Sequence, residues 1–181
     1  MGYVVVDGKI YHNTWTSNAI KLMQYVTTGS VYDNDFTLVD IEGKRVPMKP
    51  PYKITMFSIG KGYTYGDESY LPDKPDMNIH FLVQPYKILD GYPYNGYLKP
   101  IDKLEFKPDD NNSDFRRTCI VTCTILPNEI PIDKRIAITE IGLFAVSLSD
   151  SSQLPIMIAY VTLYKIRNPM QTFSFKWYLV W

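Results

Sequence analysis

Apolar residues along this chain follow two different rhythms. Trp15, Ala19, Leu22, Met23 and Val26 are spaced 4, 3, 1 and 3 apart, one face of a 3.6-residue period, and predict a helix. Thr14 or Ser17 is placed to cap its start, and Gly29 follows its end. Elsewhere the rhythm is two. Residues 3–11 predict a strand and a turn at Asp7-Gly8, a dipeptide suited to tight hairpins. Residues 36–41 predict a further strand before a Glu42-Gly43 turn, and Pro47, Pro50 and Pro51 then block regular structure. Strands are predicted at 53–59, 79–83, 117–126, 136–148, 156–164 and 171–181. In 117–126, Cys119, Val121, Cys123 and Ile125 share one face and Thr118, Thr122 and Thr124 the other. In 171–181, Phe173, Phe175, Trp177, Leu179 and Trp181 alternate against Thr172, Ser174, Lys176, Tyr178 and Val180.

These elements predict a mainly β protein, a two-sheet β-sandwich with one short N-terminal helix and long loop excursions. The chain has 181 residues, enough for one core that needs neither disulfide nor metal. The expected organisation is an N-terminal arm and helix over 1–52, used for assembly contacts, and a β-sandwich domain over 53–181. The connection 84–116 is too long for a hairpin. It reads either as an excursion that contacts a partner or as a flexible loop.

Charge narrows the function. Lysine plus arginine number 19 and aspartate plus glutamate 19. A zero balance argues against nucleic-acid binding by bulk charge and against a polybasic membrane anchor. No apolar run approaches the ~20 residues of a membrane span. Met1-Gly2-Tyr3-Val4-Val5-Val6 carries no basic region ahead of an apolar one, so no secretory signal is expected. Val6 stands where a myristoylation site needs Ser or Thr. Cys119 and Cys123 on one strand would lie ~13 Å apart, too far to bridge each other. They are expected to be reduced core residues of a protein folded in a reducing cytosol.

Catalytic chemistry finds little to build on. Gly60-Lys61-Gly62 follows a strand, but no Gly-Lys-Ser/Thr and no helix come after it, so a phosphate loop is not expected. Asp67, Glu68, Asp73 and Asp76, and then Asp109, Asp110 and Asp114, lack EF-hand spacing and read as solvated loop tips. His12 and His80 are the only imidazoles, too few for a three-histidine metal site, and no G-x-S-x-G elbow is present. No catalytic residue, cofactor or metal is expected, and a small hydrolase is the least favoured reading. Tyr63, Tyr65, Tyr70, Tyr86, Tyr92, Tyr94 and Tyr97 cluster in predicted loops. They read as a protein interface, with packing over sheet edges and glycan stacking as alternatives. Tyr63, Tyr65, Tyr70, Tyr92, Tyr94 and Tyr97 are the candidate interface residues.

Ile138-Thr139-Glu140-Ile141-Gly142-Leu143-Phe144 resembles the T-E-[IV]-G-L-F signature of tailed-bacteriophage virion proteins, in tail-collar, baseplate and tail-fibre-associated modules. The order of segments around it is similar too. Phe57-Ser58-Ile59-Gly60-Lys61-Gly62, Asp73-Lys74-Pro75 and the 119–125 strand precede it. Pro155-Ile156-Met157-Ile158-Ala159-Tyr160, Lys165 and Phe173-Ser174-Phe175-Lys176-Trp177 follow. The resemblance covers roughly residues 53–181. Within the signature, Glu140 interrupts an apolar strand, and Gly142 allows a bulge or close approach. A half-buried carboxylate needs donors, and Lys165 and Arg167 are the expected partners. Thr139, Glu140, Gly142, Leu143, Phe144 and Lys165 are thus the structural signature, and Glu140 is expected to fix the fold rather than act as a catalytic acid.

The resemblance implies a non-enzymatic virion component, assembled in the host cytoplasm. It would form a homo-oligomeric ring or collar in the tail or head–tail connector, and its partners would be itself and other virion proteins, without nucleic-acid or membrane binding. The alternative is a glycan-binding receptor module with tyrosine-rich loops.

Overall fold

A computed structural model describes residues 2–62, 76–89, 92–107, 118–132 and 134–180. The strands are β1 (Gly2–Val6), β2 (Lys9–His12), β3 (Thr14–Trp15), β4 (Thr37–Val39), β5 (Arg45–Pro47), β6 (Tyr52–Gly60), β7 (Lys99–Pro100), β8 (Lys103–Lys107), β9 (Thr118–Ile125), β10 (Ile136–Ser147), β11 (Ile156–Arg167) and β12 (Phe173–Val180). Helix α1 (Ser17–Thr28) lies between β3 and β4. Two five-stranded antiparallel sheets form, in the order β2-β1-β12-β9-β8 and β3-β11-β10-β6-β7, with a small β4-β5 hairpin beside them.

Alternation builds the main core. Val4, Val6, Val121, Cys123, Phe175 and Trp177 point inward from the first sheet. They meet Phe57, Ile59, Ile141, Leu143, Ile158 and Val161 from the second. Phe57 and Phe175 close edge-to-face with centroids 5.4 Å apart. The β1–β2 turn has Asp7 at φ 48 and Gly8 at φ 78, the two left-handed residues a tight hairpin needs. Both cysteines are free and buried, facing the core as their spacing predicts.

A second, smaller cluster covers the other face of the second sheet. Met56, Phe144, Met157 and Tyr160 lie there beneath Leu82 and Leu98. Strand β10 is therefore buried on both faces, which is why its sequence reads as a nearly unbroken apolar run.

Four expectations are corrected. The first residues are not an arm outside the sandwich: β1 pairs with β12, and β3 pairs with β11. Helix α1 also belongs to the core, since Ala19 is buried in it and Trp15, Leu22 and Met23 pack against it. The cap is Thr16, whose hydroxyl accepts from Ala19 N and donates to Met157 O at 2.6 Å; Gly29 closes the other end at φ 71 as expected. The 84–116 stretch is not a single excursion, because β7 joins β6 and β8 joins β9. Residues 79–83 form no strand; they lie over the second sheet, held by burial of Leu82 rather than by a ladder.

Candidate functional site

The signature stretch folds into the centre of the second sheet, and a slip in its pairing decides where Glu140 points. Between Ile138 and Glu140, and again between Leu143 and Phe144, β11 carries one extra residue relative to β10. The first slip reverses the alternation. Ile136 and Ile138 face the main core before it, and Ile141, Leu143 and Ala145 face it afterwards. Without the slip Glu140 would share the face of Ile138 and enter the main core; with it, the side chain emerges on the opposite face.

There the carboxylate is fully buried, with none of its surface exposed. Oε1 accepts from Gly62 N at 2.9 Å and Gln84 N at 2.8 Å. Oε2 accepts from Val83 N at 2.9 Å and from the Tyr160 hydroxyl at 2.7 Å. Two carboxylate oxygens offer about four lone-pair sites, so the group is saturated. It has no acceptor position left for a substrate proton, which argues for a structural role.

This clasp ties together chain segments far apart in sequence. Residues 60–62 and 83–86 are zipped to each other by Lys61 N to Gln84 O and Tyr86 N to Ile59 O, both 2.9 Å. Glycine is required on the first of these segments. A Cβ on Gly60 would lie 2.5 Å from Glu140 Oε1, and one on Gly62 would lie 2.7 Å from the same oxygen and 2.5 Å from Val83 Cβ. The Gly-x-Gly and the T-E-I-G-L-F stretch are thus two halves of one device. Gly142 has its own reason: a Cβ there would sit 3.0 Å from Met157 Sδ and from the Phe144 ring, inside the second cluster.

The expected cationic partners of Glu140 are elsewhere. Lys165 forms an ion pair with Asp7 in the β1–β2 turn. Arg167 is buried and donates to the carbonyls of Gln171 at 2.5 Å and Leu126 at 3.1 Å, closing the turn after β11. Backbone amides replaced them because a strand that emerges under a loop meets N–H groups before it meets side chains. Of the remaining signature residues, Thr139 and Leu143 are fully buried, and Phe144 packs against Phe81 with centroids 5.6 Å apart.

Sequence reasoning missed a second buried carboxylate. Glu129 accepts from Lys99 Nζ and the Tyr92 hydroxyl, each at 2.6 Å, and from Leu126 N at 2.7 Å. Burial pushes its carboxyl up, but these three donors outweigh burial and hold it below the ordinary value. The hydrogen bond to Glu129, and then burial, push Tyr92 up to about 12. No periodic signal marks Glu129, which lies in a turn, and Lys99 sits on a strand of two residues.

The candidate interface tyrosines divide. Tyr63, Tyr65 and Tyr70 lie outside the described residues, as do the acidic positions 67, 68, 73, 109, 110 and 114. Tyr92, Tyr94 and Tyr97 are half-buried. Tyr92 binds Glu129, Tyr94 packs on the second cluster, and Tyr97 meets Phe81 edge-to-face at 6.4 Å. His12 lies on β2, and His80 lies against the Gly43 turn. Among the described residues, no three His, Cys, Asp or Glu side chains converge as a metal site would require, and no helix is long and apolar enough to cross a membrane. No protein-family model matches the chain, and comparisons with curated proteins and with solved structures return no match.

Proposed function

We propose that this protein is a non-enzymatic structural component of a tailed-phage virion. It forms a ring or collar in the tail or head–tail connector and presents surfaces to neighbouring rings or fibres. The observation that carries this reading is the Glu140 clasp. Three of the segments that give residues 53–181 their resemblance to virion modules are Ile59-Gly60-Lys61-Gly62, Thr139–Phe144 and Ile158-Ala159-Tyr160. All three meet at one carboxylate. Segments read separately in the sequence therefore behave as one structural motif, as parts of a shared module should. The saturated carboxylate suits a scaffold that must hold its shape through assembly, and the zero net charge suits protein–protein packing over genome binding. The partners in this reading are other copies of the chain and other virion proteins.

The test is direct. Purified particles of the phage encoding the chain are digested and analysed by mass spectrometry, and antibody-labelled particles are imaged in negative stain. Several copies per particle with label at the neck or tail are expected. A chain expressed in infected cells yet missing from particles would overturn the proposal.

A further inference from the structure

Two surface features outside the clasp complement each other, and they share no residues. The first is a knob beyond the end of α1. Asp33 at φ 56 and Asn34 at φ 53 turn the chain sharply, a left-handed conformation that side-chain-bearing residues rarely adopt in succession. The turn holds Tyr32 out at 77% exposure; Val26, in the last turns of α1, is 79% exposed. It is braced from behind. Tyr32 N donates to Gln24 Oε1 at 3.3 Å, and Phe36 meets Tyr25 edge-to-face at 6.2 Å. Asp35 is taken up by Lys21 and Arg45. Asp33 is exposed and has no ion pair among the described residues.

The second feature is a shallow depression of about 180 Å³ on the outward face of the first sheet, lined by Val5, Thr122, Ser174 and Lys176 above Phe175, whose ring faces the core. An enclosed void of ~150 Å³ accepts a benzene-sized ring; this depression is open to solvent, so it has room for the edge of an aromatic side chain laid on the sheet. Lys176 is exposed at its rim; it makes no salt bridge among the described residues, and its nearest acid, Glu105, is already paired with Lys103 and only weakly shared.

We infer that Tyr32 of one copy seats in this depression on the next copy, with Asp33 facing Lys176. Charge selects this occupant and its geometry. A two-fold pairing of either patch with itself would oppose Lys176 to Lys176 or Asp33 to Asp33, whereas knob on depression pairs opposite signs. Because the patches differ, the contact is head-to-tail, and it closes into a ring if the rotation per subunit allows. The inference deepens the self-assembly part of the proposed function and rests on that part alone.

Sedimentation velocity of the purified chain tests it. Wild type is expected to grow beyond a dimer as concentration rises. Tyr32→Ser and Lys176→Glu are both surface changes, so each is expected to keep the wild-type circular dichroism yet remain monomeric. An equimolar mixture of the two is expected to stop at a heterodimer, because one variant retains its depression and the other its knob. The double variant Asp33→Lys, Lys176→Glu is expected to regain assembly. A wild type that stays monomeric, single variants that assemble like wild type, or a mixture that stays monomeric would each overturn the inference. Particle incorporation reads the virion assignment separately: variants incorporated and assembled like wild type would keep that assignment and remove this interface.

Discussion

Removing the Glu140 carboxylate should destabilise the fold more than its single charge suggests. Glu140→Ala strands four donors, the N–H groups of Gly62, Val83 and Gln84 and the Tyr160 hydroxyl. A dry, unpaired donor costs ~1–3 kcal/mol. Val83 and Gln84 belong to an exposed segment, so water entering the vacated space restores them. Tyr160 has no exposed surface, and Gly62 is half-buried, so these two donors are harder to rewet. Two donors lastingly lost amount to ~2–6 kcal/mol, a large share of the ~5–15 kcal/mol that holds a domain together. Glu140→Gln keeps one acceptor oxygen and the side-chain volume, and should cost less, ~1–2 kcal/mol. Urea unfolding followed by tryptophan fluorescence measures both, since Trp177 is buried in the core. Amide hydrogen exchange gives a local readout: residues 62, 83 and 84 should exchange faster in Glu140→Ala, while β12 amides keep their order relative to global unfolding. A Glu140→Ala midpoint within ~0.5 kcal/mol of wild type, or a Gln variant weaker than the Ala variant, would refute the argument.

Gly62→Ala should destabilise through the same site, because its Cβ cannot avoid Glu140 and Val83; thermal melting would show a fall comparable to that of Glu140→Ala, and little further loss when the two changes are combined. Lys99→Met leaves Glu129 buried without its cation, so a loss of ~3–5 kcal/mol is expected in denaturant unfolding, with Lys99→Met, Glu129→Leu recovering part of it. Tyr92 contributes stability that is complete below about pH 10 and lost as pH rises towards about 12, because hydrogen bonding to Glu129 and burial keep it protonated in the folded state; stability against pH should fall less steeply over that window in Tyr92→Phe. Burial pushes both Cys119 and Cys123 up, so a thiol reagent should find none in the native protein and two per chain in denaturant.

The strands that alternate cleanly were legible because burial on one face writes period two into the sequence. β9 and β12 are of this kind, and their cysteine and aromatic positions face the core as the pattern requires. The same logic hid the role of residues 79–83, whose apolar content serves as a roof over a sheet rather than as a strand within one. It also concealed β7 and β8. Lys99 and Pro100 carry no strand signature, and their pairing is dictated by the neighbouring β6, a long-range contact that no local window contains. Glu140 stood out in the sequence as a charge inside an apolar strand, but its partners did not. A carboxylate's side-chain partners leave lysines and arginines in the sequence, whereas backbone amides are present at every position and leave no mark. Gly60 and Gly62 were the only trace of them, and their meaning depends on a contact across the sheet.

The pairing of β1 with β12 bears on how the protein is made. Val4 and Val6 are core residues, and their strand has β2 on one side and β12 on the other. Nearly the whole chain separates Tyr3 from Tyr178, which stack with ring centroids 4.8 Å apart. A ribosome moving at ~5–20 residues per second delivers the second tyrosine roughly 10–35 s after the first. Until then the first sheet lacks its central strand, and the β1–β2 hairpin must wait with one apolar edge open, since a lone hairpin is at best marginally stable. The second sheet waits almost as long, because β10 and β11 are translated just before β12. Both sheets are therefore expected to close late, with the β1–β2 hairpin unpaired for most of the synthesis of residues 13–172 and chaperones most needed in that interval.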